Sequence, residues 1–304
     1  MHDRCVHMVQ LGQMFGDRSW AHIKRYMPGF HVTKPRSCAF SLSLHFESRS
    51  QTGHEQTFSL GRRLGGGFTI QIACQYFHSL RVYFLSAEWD LYSAANSIHP
   101  DIRYAKRTHK KFAFESYVCN GMFGGFENED FYINGGLSSI IDPEKHRLEC
   151  FTEYQDLKSQ DPFAFLASTP PDCLFGQFCH KKYLQVVHPK MEESFFGNLD
   201  QRDHVVKGIH PKTAFYEAFL KLAKAIWLVH RLAFSFDPVV SIFQVRRGTD
   251  FSVVYMESVV HGVLSGYDAL DGRPKVGFTV MPGFRVSKAV IQCLVYLTGM
   301  KGRD

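Results

Sequence analysis

The chain has no Cys-x-x-Cys pair. Its eight cysteines (Cys5, Cys38, Cys74, Cys119, Cys150, Cys173, Cys179 and Cys293) are scattered, and the closest two are Cys173 and Cys179. That spacing suits neither a zinc knuckle nor a dithiol redox motif, so free thiols in a reducing compartment are expected. No His-Glu-x-x-His occurs, no kinase signature set, and no Gly-x-Ser-x-Gly elbow, since "GVLSG" at Gly262 misplaces its serine. "GRRLGGGF" (Gly61–Phe68) lacks the Gly-Lys-Ser/Thr ending of a phosphate loop and reads as a flexible loop. Long apolar runs are missing too. The most apolar windows are broken by Gln71, Gln75, His78 and Arg81, or by Lys221, Lys224, His230 and Arg231, so no membrane span is expected. The N-terminus has no basic region leading into an unbroken apolar stretch, which argues against a secretory signal. Acidic residues are scarce only at the start: residues 1–85 hold four Asp and Glu against ten Lys and Arg, whereas residues 86–304 hold 25 of each. The whole net charge of +6 therefore sits in the first quarter.

What the chain does have is ample apolar content, 45% of 304 residues, which can bury a sizeable core. Residues 1–85 show little periodicity and are expected to be poorly ordered. From Ser86 the helical pattern sharpens. Leu91, Ala94, Ala95 and Ile98 share one face, and Pro100 stops that helix. A second helix is expected from Ile102 to Phe123, closed by Gly124-Gly125 in a left-handed cap. A loop over 127–142 precedes a helix near 145–160, and "STPPD" is a break before a helix capped by Asp172. "PKMEESFFG" opens with Pro189, carries Glu192 and Glu193 early, and closes at Gly197. The longest helix runs from Thr213 to Phe236, with Glu217, Lys221, Lys224, Arg231 and Ser235 as its narrow polar stripe. "SIFQV" reads as a short strand, and helix is expected to resume after Thr249 or Asp250. "KVGFTVMPGFRVSKAVIQCLVYL" is β-branched and aromatic around Pro282-Gly283, which predicts an antiparallel hairpin turning there. The fold class expected is α+β, predominantly α: a helical domain with a C-terminal antiparallel β-hairpin.

Two patterns invite functional readings. His99, His188 and His210 each stand between an aliphatic residue and a proline. Proline extends the residue before it and suits the first position of a helix, so these steps are read as helix starts at Asp101, Lys190 and Lys212, not as a zinc triad. Arg103, Lys106, Arg107, Lys110 and Lys111, interleaved with Tyr104, Phe112 and Phe114, form a basic run. It reads as a solvated helix face, or as an interaction face for anionic lipid or nucleic acid. Cys119, Cys150 and Cys179 are conceivable nucleophiles, but nothing in the spacing pairs one with a base.

Seven blocks carry a resemblance: "WDLYSAANSI", "YAKRTHKKFAFESYVC", "MFGGFENEDF", "CLFGQFCHKKYLQVVHPKMEESFFGNLDQRD", "FYEAFLKLAKAIWLVHRLAFSFDP", "FQVRRGTDFSVVYMESVV" and "KVGFTVMPGFRVSKAVIQCLVYL". In this order they resemble the plant family of the GRAVITROPIC IN THE LIGHT and IRK-interacting proteins, over residues 86–304. The resemblance implies a non-enzymatic signalling adaptor in light-dependent control of gravitropism and in the response to red or far-red light. It implies a protein partner, either a receptor-like kinase or a light-signalling component, and a cytoplasmic location with any membrane association made through that partner. It implies no catalytic, cofactor-binding or metal residues, no cofactor and no small-molecule substrate; nucleic acid is not an expected partner. Family members begin with a long coiled coil, and residues 1–85 show no heptads. That segment is therefore expected to derive from an alternative start or a faulty gene model, and coiled-coil self-association is not expected of this chain.

Overall fold

The structure is a computed structural model, and it describes residues 90–135, 138–170, 172–260 and 274–298. The readings made of residues 1–85 lie outside the described residues. All described residues belong to one compact unit, Gly65–Asp304.

Local chemistry explains most helix starts. Asp90 caps α1 (Leu91–Ile98) by accepting from the Tyr92 amide. Two further helices begin with an Asp-Pro step, in which the aspartate accepts from early amides and proline fills the first position: α4 (Pro143–Lys158) behind Asp142 and α5 (Pro162–Ser168) behind Asp161. α7 (Pro189–Phe196) starts the same way behind His188, whose Nδ1 accepts from the Lys190 amide, and it ends on Gly197 at φ 72°. The short α3 (Ser138–Ile141) lies within the stretch read as a loop, and α5 and α8 (Asp200–Val206) are helices that the periodicity did not suggest. α6 (Leu174–Val186) is capped by Cys173, whose Sγ accepts from the Gly176 amide at 3.3 Å, not by Asp172.

The longest helix is α9 (Ala214–Phe234), 21 residues and about 31 Å long, capped by Thr213. It is the axis of the main core: Phe219, Leu220, Ala223, Ile226 and Trp227 are buried among side chains of α2 (Lys111–Phe123), α4, α5 and α6. At one end its polar stripe is an exposed pair, Glu217 with Lys221 at 2.6 Å; at the other, Arg231 and Ser235 are buried.

The His-Pro readings fare unequally. At His188 the helix starts as expected. After Pro100, Asp101 takes φ 61°, residues 102–106 run non-helical, and only a 3₁₀ turn, Arg107–Lys110, leads into α2. The second helix is therefore nine residues shorter at its start than the expected Ile102–Phe123, because Ile102 and Tyr104 are claimed by the sheet described below. After Pro211, Thr213 supplies a better cap two residues later.

Six short strands make two three-stranded sheets. β1 (Ser241–Phe243), β4 (Gly283–Val286) and β5 (Ala289–Ile291) form one, antiparallel in the order β1-β4-β5. In the other, β6 (Cys293–Thr298) lies between β2 (Met256–Ser258), parallel to it, and β3 (Lys275–Met281), antiparallel. The expected hairpin exists, but it turns at Ser287-Lys288, with Ser287 at φ 55°. Pro282-Gly283 is instead where the chain leaves β3 for the other sheet. A Cβ on Gly283 would lie 2.7 Å from the Ile291 carbonyl oxygen and closer still to the Phe243 ring, so only glycine lets β4 fit between β1 and β5. The helix expected after Thr249 is absent: residues 253–255 turn and β2 follows. Val253 and Val254 lie at the surface, and Met256 alone of that segment is buried, so no helical face meets a core.

Candidate functional site

Side chains of β6 alternate between two small cores. Cys293, Val295 and Leu297 pack with Met256 and Val276 on one face; Tyr296 packs with Phe278, Val280 and Ile102 on the other. The second face is covered by the segment 99–112, which acts as a strap. Its inner side chains are aromatic or aliphatic. The His99 ring stacks on Phe278 at 4.0 Å, and Tyr104, His109 and Phe112 surround the Tyr296 ring at 5.5, 5.8 and 6.0 Å. The Tyr296 hydroxyl accepts from the Ala105 amide at 3.0 Å and meets His109 Nδ1 at 3.1 Å. Ser116 Oγ on α2 donates to the Thr279 carbonyl on β3 at 2.6 Å, so its one proton is committed, and His99 Nε2 at 2.9 Å is the donor to it. Burial, with Arg247 nearby, pushes His99 down to about 4. The strap therefore closes over the sheet with a neutral imidazole at neutral pH.

The five basic residues are the outer side of this strap. Arg103, Lys106 and Arg107 are exposed; Lys110 and Lys111 are half-buried, with their Nζ atoms over the rings of Tyr92 (4.7 Å) and Phe112 (4.9 Å). They do not share one α-helical face: two stand before the 3₁₀ turn, two within it, and Lys111 opens α2.

The three His-Pro histidines do not converge. His99 lies against β3, His188 caps α7 and His210 Nδ1 meets the Tyr216 hydroxyl at 2.8 Å. Among the described residues no group of three or more His, Cys, Asp or Glu is placed to hold a metal ion.

One cysteine does meet a histidine, which the sequence reading missed. His146 and Cys150, four apart on α4, face each other with Sγ 3.5 Å from Nε2, and Glu129 Oε2 lies 3.8 Å from the same Nε2. The i, i+4 spacing on a helix was the available signal. A nucleophile relay needs base and orienting acid on opposite ring nitrogens, and here thiol and carboxylate crowd one. Cys150 is 1% exposed and burial pushes its thiol up to about 11. The group is a buried polar contact that, with Arg231 and its bond to the Glu129 carbonyl, ties α4 and α9 to the loop at 128–130.

On β2's entry turn the pattern reverses and apolar side chains face out. Val253, Val254 and Tyr255 are 65%, 60% and 43% exposed. The turn that carries them is fixed by amides of Tyr255 and Met256 on the Ser252 carbonyl (3.1 and 2.9 Å). The Cys293 amide bonds the Tyr255 carbonyl at 3.0 Å, and Gln292 Nε2 bonds the Val253 carbonyl.

One of the comparisons falls on this sheet region. Residues 242–296 match the family model described as the GIL1/IRKI C-terminal domain. The chain is 49% identical over 197 residues to Protein GRAVITROPIC IN THE LIGHT 1 of Arabidopsis thaliana, a match covering 62% of this chain and 34% of that protein. It is 27% identical over 194 residues to IRK-interacting protein of the same plant, covering 61% and 30%. The chain thus spans about a third of the length of these curated relatives. No solved structure matches it. Residues 242–296 are thus similar to the GIL1/IRKI C-terminal domain, and over a longer stretch the chain is similar to GRAVITROPIC IN THE LIGHT 1 and to IRK-interacting protein.

Proposed function

We propose that this chain is a non-enzymatic adaptor in signalling linked to light and gravity, including the response to red or far-red light, and that it acts by binding another protein. The observation that carries the reading is the exposed apolar turn Val253–Tyr255 inside the matched domain. Three adjacent apolar side chains on a turn fixed by four hydrogen bonds keep their shape when a partner arrives, so little ordering entropy opposes docking. The names of the relatives support the setting: one is called for gravitropism in the light, the other for interaction with IRK. The partner we assign is IRK or a similar receptor-like kinase, met in the cytoplasm, with residues 86–304 acting as the family domain. Among the described residues no helix is long and apolar enough to cross a membrane.

The test is direct binding of the full chain to IRK. Val253→Asp with Val254→Asp should weaken it by about tenfold or more, as loss of a central apolar anchor does. Undiminished binding by that variant would overturn the assignment of the surface.

The outer strap supports a second reading, a docking face for anionic lipid, because Arg103, Lys106 and Arg107 project from a segment whose inner side is fully engaged by the sheet. Reversing these three to Glu should abolish salt-dependent binding to phosphatidylserine vesicles. Equal binding before and after reversal would dismiss it.

A further inference from the structure

A cleft of about 470 Å³ lies in the helical part, away from the matched domain, between α6, the end of α8 and the start of α9. Its volume is in the range of small-ligand sites. Its lining contains Lys181 and His180 from α6, Lys207 from the end of α8, and His210, and no aspartate or glutamate. Its rim is apolar and open to solvent: Tyr132, Val206 and Ile209 are 58%, 58% and 50% exposed.

Two features make this a shaped site. First, the Tyr216 hydroxyl, on a side chain with no exposed surface, holds His210 Nδ1 at 2.8 Å. The imidazole is thereby oriented, and Nε2 is its remaining polar atom. Second, one wall is a strained loop. Phe131 and Tyr132 both sit at φ 57°, a conformation costly for aromatic residues. Lys181 holds them there by donating to both carbonyls, at 3.0 and 2.9 Å, while Asn128 Oδ1 accepts from the Tyr132 amide at 2.9 Å. Lys207, which is exposed, and His180, which is half-buried, also line the cleft, and no side-chain hydrogen bond or ion pair engages either among the described residues.

We infer that this cleft binds a phosphate monoester whose organic part lies on the apolar rim. Lys207 supplies positive charge and, with the two imidazoles, hydrogen-bonding nitrogens to the phosphate; no aspartate or glutamate lines the cleft, and Glu127, beside its rim, is engaged by the Tyr132 hydroxyl at 3.1 Å. Tyr132, Val206 and Ile209 then favour a phosphate on an apolar carrier over the inorganic ion. A phosphorylated side chain of a protein and a free phosphorylated metabolite share this chemistry. The inference stands apart from the interaction surface proposed above, since it uses no residue of 242–296.

Calorimetric titration of the full chain with phenyl phosphate tests it. Saturable binding is expected, at least about tenfold tighter than inorganic phosphate and than benzoate, which has the ring but only a single charge. Lys207→Glu, on an exposed residue, should weaken phenyl phosphate by tenfold or more, and His180→Gln by a smaller factor. Lys190→Glu on α7, outside the cleft, should leave it unchanged. A phosphotyrosine peptide that binds much more tightly than phenyl phosphate assigns the site to protein-borne phosphate; equal binding assigns it to a free metabolite. Absence of saturable binding, equal affinity for benzoate, or indifference to Lys207→Glu would each overturn the inference.

Discussion

Arg202→Leu isolates a buried ion pair in the helical core. Glu192 on α7 has no exposed surface, yet it carries a carboxylate. Its Oε1 accepts from the Tyr183 hydroxyl of α6 and its Oε2 from Arg202 Nε of α8, both at 2.5 Å. The network continues: Gln201 Nε2 donates to the Tyr183 oxygen at 2.6 Å, Thr213 Oγ1 donates to Gln201 Oε1, and the Arg202 guanidinium also donates to the Val187 carbonyl. Three helices, α6, α7 and α8, thus meet on one carboxylate, and Thr213 ties the start of α9 to the same network. Removing Arg202 leaves that charge buried with a single neutral donor, and breaking a buried pair in this way costs about 3–5 kcal/mol. Arg202 keeps some solvent contact, 16% of its side chain, which places the cost near the lower end, about 3 kcal/mol. For a unit of this size, about 3 kcal/mol corresponds to a fall in Tm of roughly 6–12 °C. Urea melts followed by far-UV circular dichroism should show the loss without a change in m-value. The double variant Glu192→Leu with Arg202→Leu should be less damaged than the sum of the singles, by about 1–3 kcal/mol, because it no longer strands a charge. A single-variant cost under about 1 kcal/mol, or strict additivity, would refute the view that this pair organises α6, α7 and α8.

Stability should also depend on acid through histidines that fold in the neutral form. His99 is pushed down to about 4, and burial lowers His109, His146, His210 and His230 as well. Each folded value lies below the unfolded one of 6.5, so the unfolded chain binds more protons below that pH; stability is full above about 6.5 and is lost as pH falls toward 4. His99→Gln should flatten the slope of that loss by up to one proton, about 1.4 kcal/mol per pH unit, and an unchanged slope in pH-dependent melts would reject the assignment. Gly283→Ala should cost about 1–3 kcal/mol, since its Cβ would meet the Phe243 ring and the Ile291 carbonyl; a neutral melting temperature would show that β4 can shift. Cys150 should react with iodoacetamide at pH 8 roughly 100-fold more slowly in the folded chain than in urea, from its raised pKa alone, as read by mass spectrometry of its peptide; comparable rates would mean the thiol is accessible.

What the sequence determined by itself was whatever depends on near neighbours in the chain. The faces of α1 and α9 follow from apolar periodicity, and the start of α7 from His188-Pro189 and its end from Gly197. Its α+β character and the family resemblance were equally legible, because both are read from contiguous blocks. What only the tertiary structure decided involves residues far apart. Ile102 and Tyr104 lie within the expected second helix but run non-helical, because Phe278 and Tyr296, more than 170 positions away, offer them a larger apolar contact. The same exchange turns Arg103–Lys111 from a helix face into the outer edge of a strap. Val253 to Tyr255 are drawn into a turn because β2 must reach β6, whose hydrogen bonds a helix there could not satisfy. The cleft at Lys207 and His210 is lined from α6, the end of α8 and Tyr216 of α9, residues that the chain brings together only in the folded state. Local propensity is worth tenths of a kcal/mol per residue, whereas burying an aromatic side chain is worth several times more, and wherever the two disagree in this chain the long-range contact sets the result.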